Sequence, residues 1–405
     1  MIFKTYLSYK MLCEQCFLSL IPLNKRRKDF FISVLWLFLS IKGKINFLQL
    51  ERYGNFCEQS CRQQFDKAFE FLNFNSALVS KFCSEHTVIG FDPSYIPKSG
   101  KNTCGTGKYW SGCAGAAKWG LEICGIAAID IENHTAMHLE AIQTLPYEDE
   151  NQFDFYAKAL IDRKDDLQAI SSIIVADAYF SKETFVSQIC DAGFHFISRL
   201  RDDARLTYVI EKQPTGKRGR PKTVGEKVNA KNLDLNYFTA IESENPDEKI
   251  FSAIVKSVSL KRELRVVMVQ KIKNGKAVDA KIYFSTDTEI QANEILKIYR
   301  TRFQIEFLYR DAKQHTGLTN CQARNKEKLH FHFNTSLTAV SIAKAIHWLS
   351  LEKNKRKAFS LADIKTMNFN ALLLNRFFST FAIKPNLLKN NQKVKELLCL
   401  GKIAA

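Results

Sequence analysis

The 405-residue chain has no apolar run longer than the twelve residues Phe30 to Ile41 (FFISVLWLFLSI). A bilayer-spanning helix needs about 20, so this run reads as a buried helix and no membrane is expected as a partner. The opening MIFKTYLSYKMLCEQC is broken by Lys4, Lys10 and Glu14 and lacks a small-residue cleavage site. A secretory leader is therefore not expected, and a cytoplasmic, nucleoid-associated location is. No self-similarity at a period of about 20 to 50 residues is visible, which sets aside solenoids and propellers. Histidine clusters are missing too. The eleven cysteines are odd in number and scattered, and Cys13-x2-Cys16 and Cys57-x3-Cys61 have no histidines to complete a zinc site. They read as reduced, mostly buried thiols. Acid is in deficit: 59 Lys and Arg face 42 Asp and Glu, a net charge of +17. With 46% apolar and only 25% charged residues, the chain is no disordered polycation. A folded and strongly basic protein points to a polyanion, nucleic acid ahead of an anionic membrane.

At about 150 residues per domain the length predicts two to three domains. Residues 1–85 carry helical periodicity and form a helical N-terminal region with possible DNA binding. Residues 86–204 switch to short β-branched runs, HTVIGFD, WGLEICGIAAID and TAMHLEAI, followed by a helix (FDFYAKALIDRKDDLQAI), SSIIVADAYF, another helix and FHFISRL. Three strands and then alternating helix and strand predict a mixed α/β sheet. Residues 205–288 open on a basic Gly/Pro loop and continue with period-two runs around Asn274-Gly275, the pattern of an antiparallel β insertion. Residues 289–368 return to helix, and 369–405 form a basic tail with no clear element.

Three acids stand where packing alone would not put them. Asp92 follows TVIGF and precedes Pro93, and Asp177 follows SSIIVA. Both sit where a strand is expected to leave the sheet, the edge at which α/β sheets bind ligands. Either one alone also fits a turn start or a helix cap. In IYRTRFQIEFLYRDAKQH, the residues Tyr299, Arg302, Glu306, Arg310 and Lys313 are spaced 3, 4, 4 and 3. At helical pitch they fall within an arc of about 80°, opposite Ile305, Leu308 and Ala312. One helix with a single polar face is expected, and a solvated face with i,i+4 pairs is its plainer explanation. Three carboxylates from separate elements suffice to hold two Mg2+ ions, and such a pair serves in-line phosphodiester displacement.

These residues resemble the bacterial insertion-sequence transposases of the DDE class, in the branch marked by Y-(2)-R-(3)-E-(6)-K. Tyr299, Arg302, Glu306 and Lys313 match every position and spacing of that signature. GFDPSYIPKSGKNTCGTGKYWSG with AKWGLE, and VADAYFSK, resemble the family's other two blocks, in the right order. The resemblance covers roughly residues 86–201 and 289–345. It implies a ribonuclease H-like mixed-sheet catalytic core interrupted by a β-rich insertion, with Asp92, Asp177 and Glu306 as ligands of two Mg2+ ions for which Mn2+ can substitute. It implies Tyr299, Arg302 and Lys313, joined by Arg310 on the same face, as residues that position DNA. The expected partner is double-stranded DNA, the element ends and the target, bound by a homodimer. The insertion falls between Asp177 and Glu306, where the family places it. The expected reaction uses metal-activated water and then a freed 3′-hydroxyl, so no Ser or Tyr nucleophile signature is required. A nuclease of the same fold without joining activity, and a non-catalytic DNA-binding relative, are the alternatives.

Residues 212–222, KQPTGKRGRPK, hold five cations and no acid, and Arg218-Gly219-Arg220-Pro221 resembles an AT-hook core whose arginines enter a narrow A·T minor groove. Lys98, Lys101, Lys108 and Lys118 accompany Trp110 and Trp119 in the first block. The lysines are expected along the DNA path, while tryptophans in such a block are more often core residues.

Overall fold

The computed structural model describes residues 2–20, 22–145, 151–210, 225–243, 245–274, 276–382 and 388–403. Five helices come first: α1 (Ile2–Cys16), α2 (Lys25–Phe38), α3 (Phe47–Tyr53), α4 (Glu58–Phe65) and α5 (Phe71–Phe82). Four strands follow, β1 (Thr87–Pro97), β2 (Gly107–Ser111), β3 (Ala116–Asp130) and β4 (Thr135–Gln143). Then come α6 (Gln152–Ile161), α7 (Lys164–Gln168), β5 (Ile173–Ala176), α8 (Glu183–Asp191) and β6 (His195–Leu200). The insertion supplies β7 (Leu206–Tyr208), β8 (Thr239–Ile241), β9 (Glu248–Ser257), β10 (Arg262–Lys273) and β11 (Lys276–Ser285). Helices α9 (Ala292–Thr301), α10 (Gln304–His315), α11 (Lys326–Lys344), α12 (Leu361–Thr380) and α13 (Leu388–Cys399) complete the chain. The mixed α/β pattern agrees with the sequence. It differs at β2, too short to show a period, and at α13 and the second half of α12, which occupy the stretch from 369 where no element was legible. No helix among the described residues is long and apolar enough to cross a membrane.

The chain packs as two compact units. One gathers residues 1–86, 93–147 and 304–405, and the other 87–92 and 148–303. In the first, α2 is buried around its circumference, from Phe30 and Phe31 through Trp36 to Phe38, as its unbroken apolar run predicts. Phe31 stacks on Phe69 at 4.0 Å, and Phe331 of α11 lies 4.5 Å from Phe65. The cysteines of the candidate zinc pairs are free thiols, Cys13, Cys16 and Cys61 being buried. These three fill the core as small hydrophobes, and Cys57 is exposed.

Helix α11 is buried along nearly its whole length yet rich in polar residues. Their partners explain this. β4 hydrogen-bonds β3 on one side, and its other edge presents backbone groups that need partners. Ala136 O accepts from Lys344 Nζ at 2.9 Å, and His138 N donates to Ser341 Oγ at 2.8 Å. A bulge between Ile126 and Ala127 of β3 shifts the register. Past it, Leu139 O accepts from Asn75 Nδ2 at 2.8 Å, and Ala141 exchanges two bonds with the Asn334 amide, N to Oδ1 at 2.8 Å and O from Nδ2 at 2.9 Å. Side chains thus complete the ladder where a further strand would.

In the second unit, residues 87–92 of β1, then β5 and β6, run parallel, and β11 joins β6 antiparallel. β10, β9 and β7 extend the sheet, with β8 on β9. The insertion therefore continues the same sheet. Its β10–β11 hairpin bends at Asn274, whose φ of +50° suits asparagine.

Replacing Asn334 by Ala leaves the buried Ala141 amide and carbonyl without partners. It should lower unfolding free energy by about 2–4 kcal/mol in a denaturant titration, whereas an exposed change such as Glu327→Ala should stay within about 0.5 kcal/mol. Burial pushes His138, His332 and His347 down to about 4. Unfolded, they titrate near 6.5, so between pH 6.5 and 4 the unfolded chain binds protons that the folded chain refuses. Stability is full above pH 6.5 and falls as the pH drops. Melting followed across that range should show the loss, and His347→Gln should remove about a third of it.

Candidate active site

Strand registers bring the second unit's polar residues into line. Phe91 pairs with Ala176, Val175 with Ile197 and Arg199 with Tyr283. One step past the first pair and two past the second, Asp92, Asp177, Arg199 and Tyr283 stand level across four adjacent strands. Their preceding neighbours Phe91, Ala176 and Ser198 are buried and fix that edge. β5 ends at Ala176, and the Asp177 carboxylate accepts from Ala178 N to start a 3-10 turn. Asp92 differs from expectation in one respect: β1 does not leave the sheet there but runs on to Pro97. The register with β5 stops at Phe91 because β5 is short and Pro93 has no N–H to offer.

Helix α9 carries Tyr299, half-buried with its ring 5.0 Å from that of Tyr283. Arg302 lies with its guanidinium carbon 5.7 Å from the Tyr299 ring centroid. Burial raises the Tyr299 phenol above its ordinary value; Arg302 and Arg199 oppose the rise while Asp177 and Tyr283 add to it. The phenol keeps its proton and remains a donor. The Arg199 guanidinium is held by Asp202 at 2.7 Å, and that bond raises its pKa. Arg199 was missed in the sequence, although it stands next to last in FHFISRL much as Asp177 closes SSIIVAD.

The signature segment is not one helix. α9 stops at Thr301, Arg302 and Phe303 form a turn, and α10 starts at Gln304. Thr301 turns its hydroxyl back onto the Lys297 carbonyl at 2.8 Å, a bond that competes with helix continuation. Tyr299 and Arg302 therefore belong to one helix and joint, and Glu306, Arg310 and Lys313 to the next.

On α10, Ile305, Leu308 and Ala312 are buried as the periodicity predicts, and Glu306 and Lys313 are half-buried. Lys313 Nζ donates to Ser94 Oγ at 2.9 Å; Ser94, two residues after Asp92, is the partner the sequence did not show. Arg310 is exposed, pairs with Asp311 at 3.3 Å and lies 4.5 Å from the Phe307 ring centroid. Tyr309 seats the helix on β3 at Gly125, where a Cβ would overlap the Tyr309 hydroxyl.

In the first block, Lys98 is half-buried and its ammonium bonds Cys321 O and Ala323 O at 2.5 and 3.0 Å. It fastens a loop. Trp110 and Trp119 are exposed, at 65% and 47%, so neither is a core residue; with exposed Lys108 and Lys118 they occupy the β2–β3 hairpin. Arg218 and Arg220 lie outside the described residues.

Among the described residues no three His, Cys, Asp or Glu side chains group closely enough to hold a metal ion. Asp92 and Asp177, level on neighbouring strands, present the oxygen donors that a hard cation takes. Residues 149–342 match the family model of the transposase DDE domain. Over those residues the chain carries a DDE-class transposase domain. No curated protein matches it. The match includes Asp177, Tyr299, Arg302, Glu306 and Lys313 and begins beyond Asp92. The mixed sheet is the ribonuclease H-like fold of this class, and the transposase is a DNA-cleaving and strand-transferring enzyme of a class that uses divalent metal ions.

Gly125→Ala should displace Tyr309 and with it α10. We expect a loss of about 1–3 kcal/mol in stability and a larger fractional loss of cleavage than of DNA binding. Adding Tyr309→Phe should recover part of both; no recovery would show that the helix is seated elsewhere.

Proposed function

We propose that Asp92, Asp177 and Glu306 hold two Mg2+ ions, with Mn2+ able to substitute, and that the transposase falls in the branch whose signature runs Tyr299, Arg302, Glu306, Lys313. The observation that carries the reading is the level placement of Asp92 and Asp177 at neighbouring parallel strands, the crevice position of an open α/β sheet. When bound, the ions supply an activated oxygen nucleophile and neutralise charge on the phosphate. The chain's own groups do the rest. Tyr299, kept protonated by burial, donates to a phosphate oxygen; Arg302 offers two parallel N–H groups to the same diester; and Lys313, steadied by Ser94, holds the strand as a point charge. Arg310, Lys118, Arg218 and Arg220 add salt-dependent contacts along the duplex.

On this reading residues 1–85 bind DNA, 86–204 and 289–368 form the catalytic core around the insertion 205–288, and 369–405 form a basic tail. A homodimer brings two element ends together on double-stranded DNA in the nucleoid.

The test is cleavage and strand transfer on a fragment bearing the flanking repeats, with Mg2+, Mn2+ or EDTA. Asp92→Asn, Asp177→Asn and Glu306→Gln should each reduce cleavage by about 10^3-fold or more while duplex binding stays within a few fold, and combining them should add little. Arg302→Lys should lower cleavage more than binding, because it keeps the charge and loses the fork. Near-normal cleavage by any acid variant removes that residue from the metal set.

A further inference from the structure

A pocket of about 440 Å3 opens in the first unit where three distant stretches of chain meet: the turn 42–44 after α2, the end of α10 with the loop that follows, and α12. Lys42, Lys44, Lys313, Lys365 and His315 line it, and no Asp or Glu does. Four lysines thus border one opening without an acid among the lining residues.

The pocket is built. Asn320 Oδ1 accepts from Ile45 N at 3.0 Å and fixes the basic turn to the loop after α10. Gly317 makes that approach possible. Its φ is +70°, and a Cβ there would lie 2.9 Å from Asn320 Oδ1 and 3.1 Å from Ile45 Cβ. Lys42 is steadied with its ammonium 5.2 Å from the Phe369 ring centroid. Lys365 is 7% exposed, and its ammonium donates to the His315 carbonyl at the end of α10. Burial pushes Lys365 down to about 8. A desolvated ammonium at the wall of an open pocket is a place where an anion replaces lost hydration.

We propose that this pocket takes backbone phosphates of the transposase's own DNA, with Lys42 and Lys44 as the contact that the N-terminal helical region makes. The inference rests on the reading that DNA lies along α10 at Lys313. Lys313 stands about 10 Å along that helix from Glu306, so a strand held at the pocket continues toward the end of α10 that bears Glu306. Open volume and a lining that carries four lysines and no acid suit a phosphodiester, which needs cations on more than one side.

The experiment is duplex binding over a salt series in EDTA, where no cleavage occurs, so that the roles of the acids do not enter. The Lys42→Ala/Lys44→Ala variant should make the slope of log affinity against log salt shallower by about 0.9 for each lost phosphate contact, up to about 1.8. Lys393→Ala/Lys395→Ala, which removes the same charge from exposed positions of α13, should leave the slope nearly unchanged. Lys365→Met should weaken binding in the same direction; if it fails to fold, the double variant decides alone. A methylphosphonate scan then locates the contact. Neutralising one or two particular phosphates should weaken wild-type binding and leave the Lys42→Ala/Lys44→Ala variant indifferent at those positions. An unchanged slope, an equal change in the α13 control, or the same methylphosphonate profile for both proteins overturns the proposal. Loss of cleavage in Asp177→Asn bears on the metal reading alone and leaves these outcomes as they stand.

Discussion

The edge of β4 is the constraint around which the first unit is organised. A strand with one side unpaired presents donors and acceptors that burial makes expensive to leave unmet. Here α11 lies over that edge and meets them with Asn334, Ser341 and Lys344, while α5 adds Asn75. The same helix inserts Phe331 among the phenylalanines of the N-terminal helices. One buried helix thus joins a polar seam to an apolar cluster, and the N-terminal region cannot shift without disturbing the strand. β3, paired to β4, carries Gly125, on which Tyr309 and the helix bearing Glu306 are seated.

The second unit solves a different problem, the alignment of polar groups along one edge of a sheet. Parallel pairing of β1, β5 and β6 leaves little freedom in register, because buried Phe91, Ala176 and Ile197 would be moved to the other face by a one-residue slip. Asp92, Asp177 and Arg199 take their places from that register. Tyr299 is set from above by its ring contact with Tyr283.

Much of this was legible in the sequence where one element's periodicity sufficed. The apolar run of α2, the strand that leads to Asp177, the Asn274 hairpin and the stripe Ile305, Leu308, Ala312 are each decided within about ten residues. What escaped was decided by distant partners. Thr301 bonding back to Lys297 breaks a periodicity that otherwise reads through. Trp110 and Trp119 are exposed because a short hairpin, invisible as a pattern, carries them. Ser94, Arg199 and the lysines of the basic pocket gain meaning only from neighbours far along the chain.

The seam between α11 and β4 also sets an order in time. Asn334 meets Ala141 across 193 positions of chain, and Lys344 meets Ala136 across 208. During synthesis the edge of β4 emerges long before the residues that cover it, and closing such contacts is slow because so much chain must be ordered first. Until then a bare strand edge is exposed to other nascent chains. Products ending before α11 retain that edge permanently, so a truncated copy of this protein is predisposed to aggregate rather than to persist as a soluble competitor of the full-length enzyme.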